Sequence, residues 1–254
     1  RAHLAGTPEK EYMASRGEYL NSKILAAYLG FRFLDAAECV RFTESGEPLP
    51  EVTNDLLGAA LKGEDSNAKA VPYTVLPGFY GADEKGTIHT FSRGGSDVSG
   101  SLAARAVGAD LYENWTDVSG MLETDPRIVK DPKPIDYISY QELRELSYMG
   151  ASVLHEEAVF PVRRAAIPIN IRNTNRPEDK GTMIVSELPK SRRPKIITGI
   201  AGKKGFSCIH VEKSLMNQEV GFGAKFLTIL AEHGISFEHC PTGIDTMSVF
   251  IETA

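Results

Sequence analysis

The chain has 254 residues, of which 42% are hydrophobic and 24% are charged, and its formal net charge is -6. This composition fits a globular protein with one large α/β domain and a small second domain. The acidic balance argues against nucleic-acid binding, and no apolar run approaches the ~18 residues that would span a membrane. The cysteines Cys39, Cys208 and Cys240 are scattered, which predicts reduced thiols in a cytoplasmic protein rather than a disulfide framework or a zinc site.

Predicted helices and strands alternate along the first two thirds of the chain. Helices are predicted over residues 19–30, 53–62, 97–108, 139–149 and 152–165, and strands over residues 31–36, 70–76, 87–91, 110–115, 168–173 and 182–185. Residues expected to face the core are Leu20, Ile24, Ala27 and Tyr28 in the first helix, and Val98, Leu102 and Ala106 in the third. Such alternation predicts a mostly parallel sheet covered by helices on both faces, with ligands at the carboxyl ends of the strands.

The pattern changes after residue 185. Residues 186–195 are polar and contain two prolines, which is typical of a linker. Strands are then predicted over residues 196–199, 206–212, 235–240 and 247–251, with an amphipathic helix over residues 219–233. We therefore predict a large α/β domain over residues 1–185 and a small, partial β-α-β-β domain over residues 196–254.

The first candidate site residue is Glu18, in the stretch Ser15-Arg16-Gly17-Glu18. Its carboxylate stands just before a predicted helix and can receive a substrate ammonium group. The alternative is an ordinary helix-start carboxylate that interacts with the helix dipole. These residues alone leave both interpretations open.

The stretch Phe91-Ser92-Arg93-Gly94-Gly95-Ser96-Asp97 has the pattern of a strand, a glycine turn and a helix start. Adjacent glycines let a ligand approach the backbone closely, and the N–H groups of a first helical turn favour an anion. Ser96 or Asp97 can cap the helix, and Arg93 can hold a carboxylate or phosphate in two places. An ordinary capped strand-to-helix turn is the alternative.

A second polar stretch, Trp115-Thr116-Asp117-Val118-Ser119-Gly120, follows the next predicted strand, and Thr124-Asp125-Pro126-Arg127 comes soon after it. Thr116 and Asp117 at a strand end can bind a nucleotide or metal-bound water, and Arg127 on a stiffened loop can reach phosphate oxygens. The alternative is a structured loop, because Asp, Thr and Asp-Pro all favour turns.

A break between two helices lies in Met149-Gly150-Ala151-Ser152-Val153-Leu154-His155. Ser152 can act as an N-cap, or its amide can contact a nucleotide. His155 has no partner at triad or metal spacing, so we interpret it as structural. Since no Ser/His/Asp or Cys/His nucleophile is present, the motifs favour phosphoryl transfer without a covalent intermediate, which depends on positioning and on neutralising phosphate charge.

Taken in order, the motifs at 15–18, 91–97, 115–120, 124–127 and 149–155 closely resemble those of aspartate kinases of the amino-acid kinase superfamily. The resemblance implies a three-layer α/β/α fold with a mainly parallel central sheet. The tail from about residue 197 resembles part of an ACT domain, an α+β, ferredoxin-like regulatory module. The implied reaction is phosphorylation of the L-aspartate side chain by ATP with Mg²⁺, the first step toward lysine, threonine and methionine.

The resemblance also implies residue roles. Glu18 and Arg93 bind aspartate, and Arg93 and Asp97 are the catalytic candidates. Residues that line the meeting point of aspartate and the γ-phosphate are Gly94, Gly95, Ser96 and Asp97. Residues near the nucleotide are Thr116, Asp117, Leu122, Arg127, Ser152 and Val153. No side chain is assigned as a metal ligand.

Three departures from the family pattern stand out. The family's Lys-Phe-Gly-Gly-Thr phosphate-binding motif is absent, and the tail stops before an ACT unit is complete, so we expect a fragment that is truncated at both ends and inactive alone. Leu122 stands where many members carry a tyrosine, and Ser152 stands where some carry a lysine. The incomplete sheet of the tail favours a homodimer or higher homo-oligomer.

Two other functions remain open from the sequence. The chain can be another amino-acid kinase, acting on glutamate or acetylglutamate, or a non-catalytic amino-acid-binding fragment.

A feedback effector, lysine or threonine, is predicted to bind where the tail helix begins. The residues assigned to that effector site are Met216, Gln218, Val220 and Gly221.

Overall fold

The computed structural model describes residues 10–62, 73–92, 94–148, 154, 156–190 and 196–253. The chain divides into two compact units, Arg1–Ala201 and Gly202–Ala254. Among the described residues, no helix has both the length and the hydropathy needed to cross a bilayer.

The first unit alternates helices and short strands. Its helices are α1 (Lys10–Leu29), α2 (Ala36–Cys39), α3 (Pro50–Lys62), α4 (Gly95–Val107), α5 (Tyr140–Tyr148) and α6 (Glu156–Arg164). Its strands are β1 (Arg32–Phe33), β2 (Thr74–Val75), β3 (Tyr80–Ala82), β4 (Ile88–Thr90), β5 (Tyr112–Thr116), β6 (Tyr137–Ser139), β7 (Ile169–Asn173) and β8 (Thr182–Val185). The predicted α/β class is therefore confirmed.

The largest sheet is mixed, and two of its three strand pairings are parallel as predicted. The largest has the strand order β5-β7-β8-β6, with β5 parallel to β7, β6 parallel to β8, and β7 antiparallel to β8. Eight residues connect Asn173 to Thr182, fewer than the dozen or so that a parallel crossover needs. A separate parallel pair joins β1 to β2, and an antiparallel pair joins β3 to β4.

The core lies where the helices pack on these strands. Its largest fully buried side chains include Phe42, Leu57, Tyr80, Ile138, Ile169, Ile171 and Ile184. The predicted inner face of α4 is confirmed, because Val98, Leu102 and Ala106 are all buried. Helix α4 packs against α3 and α6. These contacts fix the position of its first turn.

The predicted inner face of α1 is wrong. Leu20, Ile24 and Tyr28 are 52%, 68% and 85% exposed, and Ala27 is exposed too. The helix instead buries Ser15, Ser22 and Ala26, and Tyr12 and Tyr19 pack against the core beside them. Both faces of α1 carry apolar side chains at helical spacing, so spacing alone could not select the inner one.

Several predicted boundaries are also wrong, and the largest difference is in the first helix, which was predicted to begin at residue 19 and begins at Lys10. The strand predicted over residues 31–36 ends at Phe33, because the Asp35 side chain accepts a hydrogen bond of 3.0 Å from the Ala37 amide and caps α2. The strand predicted over residues 110–115 starts two residues later, at Tyr112. The linker predicted over residues 186–195 lies partly outside the described residues.

The second unit contains β9 (Phe206–Glu212), a 3-10 turn (Met216–Gln218), α7 (Phe222–Glu232) and β10 (Thr246–Glu252), with β9 antiparallel to β10. Residues 196–199, which belong to the first unit, form no strand. Residues 235–240 form no strand either, and their pairing with β10 is limited to an isolated bridge at His239. Pro241 follows directly, and proline cannot donate to a strand ladder.

Candidate functional site

The start of α4 has the features of an anion site. Gly94 is the N-cap, with φ +55°, and no side chain caps the helix. The prediction that Ser96 or Asp97 caps α4 is therefore wrong, because glycine occupies the cap position. Gly94 and Ser96 are exposed. The first-turn N–H groups thus have no side-chain cap to compete with an anion.

Gly95 allows this helix start to pack on the neighbouring turn. A Cβ on Gly95 would lie 2.8 Å from the Cβ of Phe79 and 3.0 Å from that of Phe91. The Ser99 hydroxyl links the two segments, since it accepts from the Phe79 amide at 2.9 Å and donates to the Gly95 carbonyl at 2.9 Å. The turn at residues 77–79 and the start of α4 are therefore one rigid assembly.

Asp97 is held in place by β5. The Asn114 side-chain amide donates to Asp97 Oδ1 at 2.8 Å, and the Tyr112 hydroxyl donates to the Asp97 carbonyl at 3.3 Å. Burial raises the pKa of Tyr112 to about 12, which keeps its proton available for donation. Sequence reasoning missed Asn114. A signal was present, because a buried asparagine is uncommon at an inward strand position.

The carboxyl end of β5 is fixed to the end of β7. The Thr116 carbonyl accepts from the Thr174 amide at 2.8 Å, and the Thr116 hydroxyl donates to Asp117 Oδ1 at 3.3 Å. Asp117 is exposed. These contacts leave the Asp117 carboxylate at the surface of a strand end whose backbone cannot move freely.

The loop after Asp117 is anchored by a chain of hydrogen bonds that the sequence did not reveal. The Asn173 side-chain Nδ2 atom donates to the Ser119 hydroxyl at 2.9 Å, and that hydroxyl donates to Asp179 Oδ2 at 2.5 Å. Further along, the Met121 amide donates to Thr182 Oγ1 at 2.7 Å. Leu122 follows this anchor and is 37% exposed, so its side chain is available at the surface.

Arg127 forms a closed pair with Asp125 within the same loop. Its Nη2 atom lies 2.7 Å from Asp125 Oδ2, and its Nε atom lies 3.0 Å from Oδ1. The side-chain hydrogen bond from Arg127 lowers the pKa of Asp125, and the same bond raises the pKa of Arg127. The Arg127 side chain is 85% exposed. Exposed pairs contribute little to stability, so a phosphate can replace Asp125 as its partner.

Glu18 lies inside α1 and not before a helix, so both its predicted position and the helix-start alternative are wrong. Its side chain is exposed. The neighbouring Arg16, which sequence reasoning did not single out, stacks on the rings of Tyr12, Tyr19 and Tyr80 at 4.4, 4.6 and 5.5 Å from their centroids. This packing orients the turn of α1 that carries Glu18.

Three predicted site residues, Arg93, Ser152 and Val153, lie outside the described residues, as does His155. Within the described part of the chain, no group of three or more His, Cys, Asp or Glu side chains is arranged to hold a metal ion. The structure therefore brings together Gly94, Gly95, Ser96 and Asp97 at one helix start, next to β5.

The predicted effector residues surround the start of α7. Gly221 is the N-cap, with φ +83° and no side-chain cap, while Met216 is buried at the 3-10 turn that precedes it. Gln218 and Val220 are exposed, Val220 by 96%. This helix start resembles that of α4, because glycine leaves its N–H groups without a side-chain cap.

Comparison with known proteins gives concordant matches. The sequence model described as the amino acid kinase family matches residues 2–173. Aspartokinase 3 of Bacillus subtilis is 42% identical over 245 residues, which cover 92% of this chain and 52% of that protein.

The solved structures agree with the sequence matches. The Clostridium acetobutylicum aspartate kinase, described as an allosteric enzyme, superposes with a TM-score of 0.84 and 54% identity, covering 96% of this chain and 55% of that one. Escherichia coli aspartokinase III in complex with aspartate and ADP gives a TM-score of 0.72 and 28% identity, covering 96% of this chain and 55% of that one. The chain spans about half the length of the relatives that it matches.

Proposed function

The chain belongs to the amino acid kinase family, and from this membership we propose that it carries the catalytic region of an aspartate kinase. The reaction transfers the γ-phosphoryl group of ATP to the side-chain carboxylate of L-aspartate and yields ADP and 4-phospho-L-aspartate. This product is the first intermediate toward lysine, threonine and methionine. The aspartokinase relatives support the choice of aspartate over other acceptors.

The observation that carries the proposal is the uncapped, glycine-led start of α4 beside β5. Gly94, Gly95 and Ser96 present backbone N–H groups to an anion, and Asn114 fixes the Asp97 carboxylate next to them. We assign this point to the meeting of aspartate with the γ-phosphate. Glu18 and Arg93 are assigned to the substrate aspartate, on the resemblance of their motifs.

The nucleotide is assigned to the carboxyl end of β5 and the loop after it. Thr116 ends the strand and Asp117 follows it, while Leu122 and Arg127 lie on the anchored loop. Ser152 and Val153 complete the assignment from the resemblance alone. The exposure of Arg127 and its exchangeable partner Asp125 favour a phosphate contact.

The reaction needs Mg²⁺ with the nucleotide, and the residues present fit this ion. Magnesium usually keeps several waters and is held by one or two carboxylates together with substrate phosphates. The exposed Asp117 offers such a carboxylate, so it would bind the ion or its waters. When bound, the ion supplies positive charge that offsets the phosphate charge.

The chain's own residues act mainly by positioning. The acceptor carboxylate of aspartate is ionised at neutral pH, so no base has to remove a proton from it. What the site must supply is close approach of two anions, and the N–H groups of α4 and the Arg93 guanidinium provide the opposing charge. Asp97 is assigned to orient the substrate by attracting its ammonium group, since the Asp97 carboxylate is itself held by Asn114.

The test is aspartate-dependent acyl-phosphate formation by the full-length protein, trapped as the hydroxamate in the presence of ATP and Mg²⁺. We expect Arg93→Ala to lower kcat/KM for aspartate by about 30- to 1000-fold, since losing a bidentate charged contact costs on the order of 2–4 kcal/mol. No hydroxamate with aspartate would reject the proposal. A panel containing glutamate and N-acetylglutamate separates the other amino-acid kinases.

For the regulatory part, we propose that residues 1–185 form the kinase domain, 186–195 a linker and 196–254 a partial ACT domain. Lysine or threonine is assigned to the start of α7, at Met216, Gln218, Val220 and Gly221. The E. coli relative solved with lysine and aspartate, at 27% identity and a TM-score of 0.71, supports an amino-acid effector; the match covers 95% of this chain and 55% of that one. Calorimetric titration that shows effector binding but never nucleotide binding would favour the non-catalytic alternative.

We also propose that the protein is cytoplasmic and forms a homodimer or a higher homo-oligomer. The cysteines Cys39, Cys208 and Cys240 carry free thiols, which supports a reducing compartment. The apolar outer face of α1, with Leu20, Ile24 and Tyr28 exposed, supports association through a second copy of the chain.

A further inference from the structure

A cavity of about 240 Å³ opens between α5 and α6. Leu143 and Ser147 line it from α5, Val159 and Arg163 line it from α6, and Leu154 lies between the two helices. None of these residues belongs to the aspartate, nucleotide or effector assignments. The cavity therefore needs its own explanation.

The floor of the cavity is apolar. Leu143, Leu154 and Val159 are 3%, 3% and 6% exposed, so their side chains form a fixed surface. Phe160 stands at the rim with 60% of its surface exposed, although a phenyl ring is costly to leave in water. A ligand with an apolar body would cover both the floor and this ring.

One polar atom in the wall has no partner. The Ser147 Oγ atom is buried, yet it makes no hydrogen bond to any described residue. The other hydroxyl of the wall is already used, because Tyr140 donates to the Ile167 carbonyl. Leaving a buried hydroxyl unpaired is unfavourable. Ser147 thus marks where a polar atom of a ligand would be satisfied.

The rim carries positive charge. The side chains of Arg144 and Arg163 both line the cavity. The charge of Arg163 is also felt by Tyr140 in the cavity wall. Burial raises the pKa of Tyr140 to about 12, and the positive charge of Arg163 opposes that rise. A guanidinium matches a carboxylate in geometry and charge, and can bind it with two parallel hydrogen bonds.

We propose that this cavity binds a small monocarboxylic acid with an apolar body. The carboxylate pairs with Arg163 at the rim and accepts from the Ser147 hydroxyl, while the apolar body covers Leu143, Val159 and Phe160. L-aspartate does not fit this description, because it has a second carboxylate and no apolar body. The volume holds one small molecule and excludes a folded polypeptide segment.

The first test uses 3-phenylpropanoate as the probe and 3-phenylpropan-1-ol as its neutral control, titrated calorimetrically into the unaltered chain. We expect one acid to bind per chain, with a Kd on the order of 1 mM for a ligand of this size. The alcohol should bind at least about tenfold more weakly, since it lacks the charge-assisted bonds. Equal affinity of acid and alcohol, or no saturable binding of the acid, would overturn the proposal.

The second test compares two adjacent arginines of α6. Arg163 lines the cavity, whereas Arg164 is exposed and pairs with Glu51 at 2.9 Å. Arg163→Met should weaken the acid about tenfold and leave the alcohol unchanged, and Arg164→Met should change neither. Equal weakening by both substitutions would reject the site. Magnetisation transfer between the bound acid and the Phe160 ring should accompany binding, and its absence would place the acid elsewhere.

Discussion

The most informative single residue is Asn114, because it connects the strand that leads toward the proposed nucleotide site to the helix start at the proposed phosphate site. Its amide donates to Asp97 at 2.8 Å, and it is 8% exposed. Removing this donor leaves a carboxylate at the helix start without the bond that orients it. The contact is charge-assisted, so its loss costs on the order of 1.5–3 kcal/mol.

We therefore expect Asn114→Ala to reduce kcat/KM for aspartate by about 10- to 100-fold, while KM for ATP stays close to its original value. The measurement is hydroxamate formation at varied aspartate and at varied ATP. Gln141→Ala, which removes an exposed amide from α5, is the matched control and should change neither. If both Michaelis constants rose together under Asn114→Ala, a general loss of structure would explain the result better.

The buried carboxylate of Asp83 is expected to make the stability of the fold depend on pH in the acidic range. It is 4% exposed. Burial alone would raise the pKa of its carboxyl group, but hydrogen bonds from Thr87, His89 and Lys85 outweigh burial and lower that pKa below its usual range. A lowered folded-state pKa means that the ionised carboxylate stabilises the fold above about pH 4, and that this contribution is lost as the pH falls through the folded-state pKa.

Asp83→Asn should therefore flatten the dependence of Tm on pH below about pH 4. Thermal unfolding followed by circular dichroism between neutral and acidic pH measures this slope. Glu84→Gln, which removes the exposed neighbouring carboxylate, is the control and should keep the original slope. An unchanged slope in Asp83→Asn would mean that other carboxylates dominate acid unfolding.

At this scale the sequence predicted well what is encoded locally. The glycine pair at 94 and 95 and the apolar spacing of α4 predicted a strand-to-helix turn here, and the helix begins at Gly95, two residues before the predicted start. Asn114 was missed because its role depends on which helix the strand lies beside, and a single sequence does not contain that pairing. Arg16 was missed for the same reason, since one of its aromatic partners, Tyr80, comes from a distant strand.

At the scale of elements, α5 begins with a reciprocal capping box that also holds the segment after β8. The Glu142 amide donates to Ser139 Oγ at 3.2 Å, and Glu142 Oε2 accepts from the Ser139 amide at 2.9 Å. The other oxygen of Glu142 accepts from Thr198 at 2.5 Å. Close by, the Ile200 amide donates to the Glu123 carbonyl at 2.7 Å, in the loop that carries Arg127.

These contacts predict different effects for three substitutions. Glu142→Ala breaks both the cap and the Thr198 bond and should lower the free energy of unfolding by about 1–3 kcal/mol. Thr198→Val breaks the second bond alone and should cost about 0.5–1.5 kcal/mol. Ser139→Ala breaks the cap alone. Chemical denaturation measures these changes.

Hydrogen exchange at the Ile200 amide distinguishes the two contacts of Glu142. Exchange should quicken under Glu142→Ala and Thr198→Val, and should stay slow under Ser139→Ala, because that substitution leaves Thr198 bonded. Equal exchange in all three variants would show that the segment at 198–200 is held by other contacts. Gly199 also lies close to Leu146, since a Cβ on Gly199 would be 3.1 Å from Leu146 Cδ1.

The element-scale errors of the sequence analysis have a common cause. Residues 196–199 are apolar and were predicted to form a strand, but they lie along α5 and the loop at Glu123 instead of pairing with a strand. Likewise, β7 and β8 were expected in a mostly parallel sheet, while their short connection makes them antiparallel. The local sequence shows how apolar a segment is. It does not show which other part of the fold that segment packs against.

At the scale of the whole molecule, the fold and the resemblance to amino-acid kinases are confirmed. The sequence did not reveal which apolar side chains are exposed. The outer face of α1 shows why. Leu20, Ile24 and Tyr28 have the spacing of a buried helix face, yet the described part of the chain leaves them 52%, 68% and 85% exposed. Apolar patches of this kind mark interaction sites more often than free surface.

The outer face of α1 is suited to packing against the same face of a second chain. Met13, Leu20, Ile24 and Tyr28 share one side of a helix of 20 residues, which is about 30 Å long. That side has no charged residue between them, so two copies of α1 can pack face to face without like-charge repulsion. In an isologous contact both chains contribute the same residues. A single charge at position 24 would therefore place two charges at the interface.

Ile24→Lys should therefore convert the proposed dimer to a monomer in sedimentation velocity at micromolar concentration, without lowering Tm of the monomer, since residue 24 contacts solvent in a single chain. Val52→Lys replaces another exposed apolar side chain, on α3, and should leave the sedimentation coefficient of the dimer unchanged. If Ile24→Lys remains dimeric, the interface lies elsewhere, and the edge of β9 that pairs with no described strand becomes the surface to mutate.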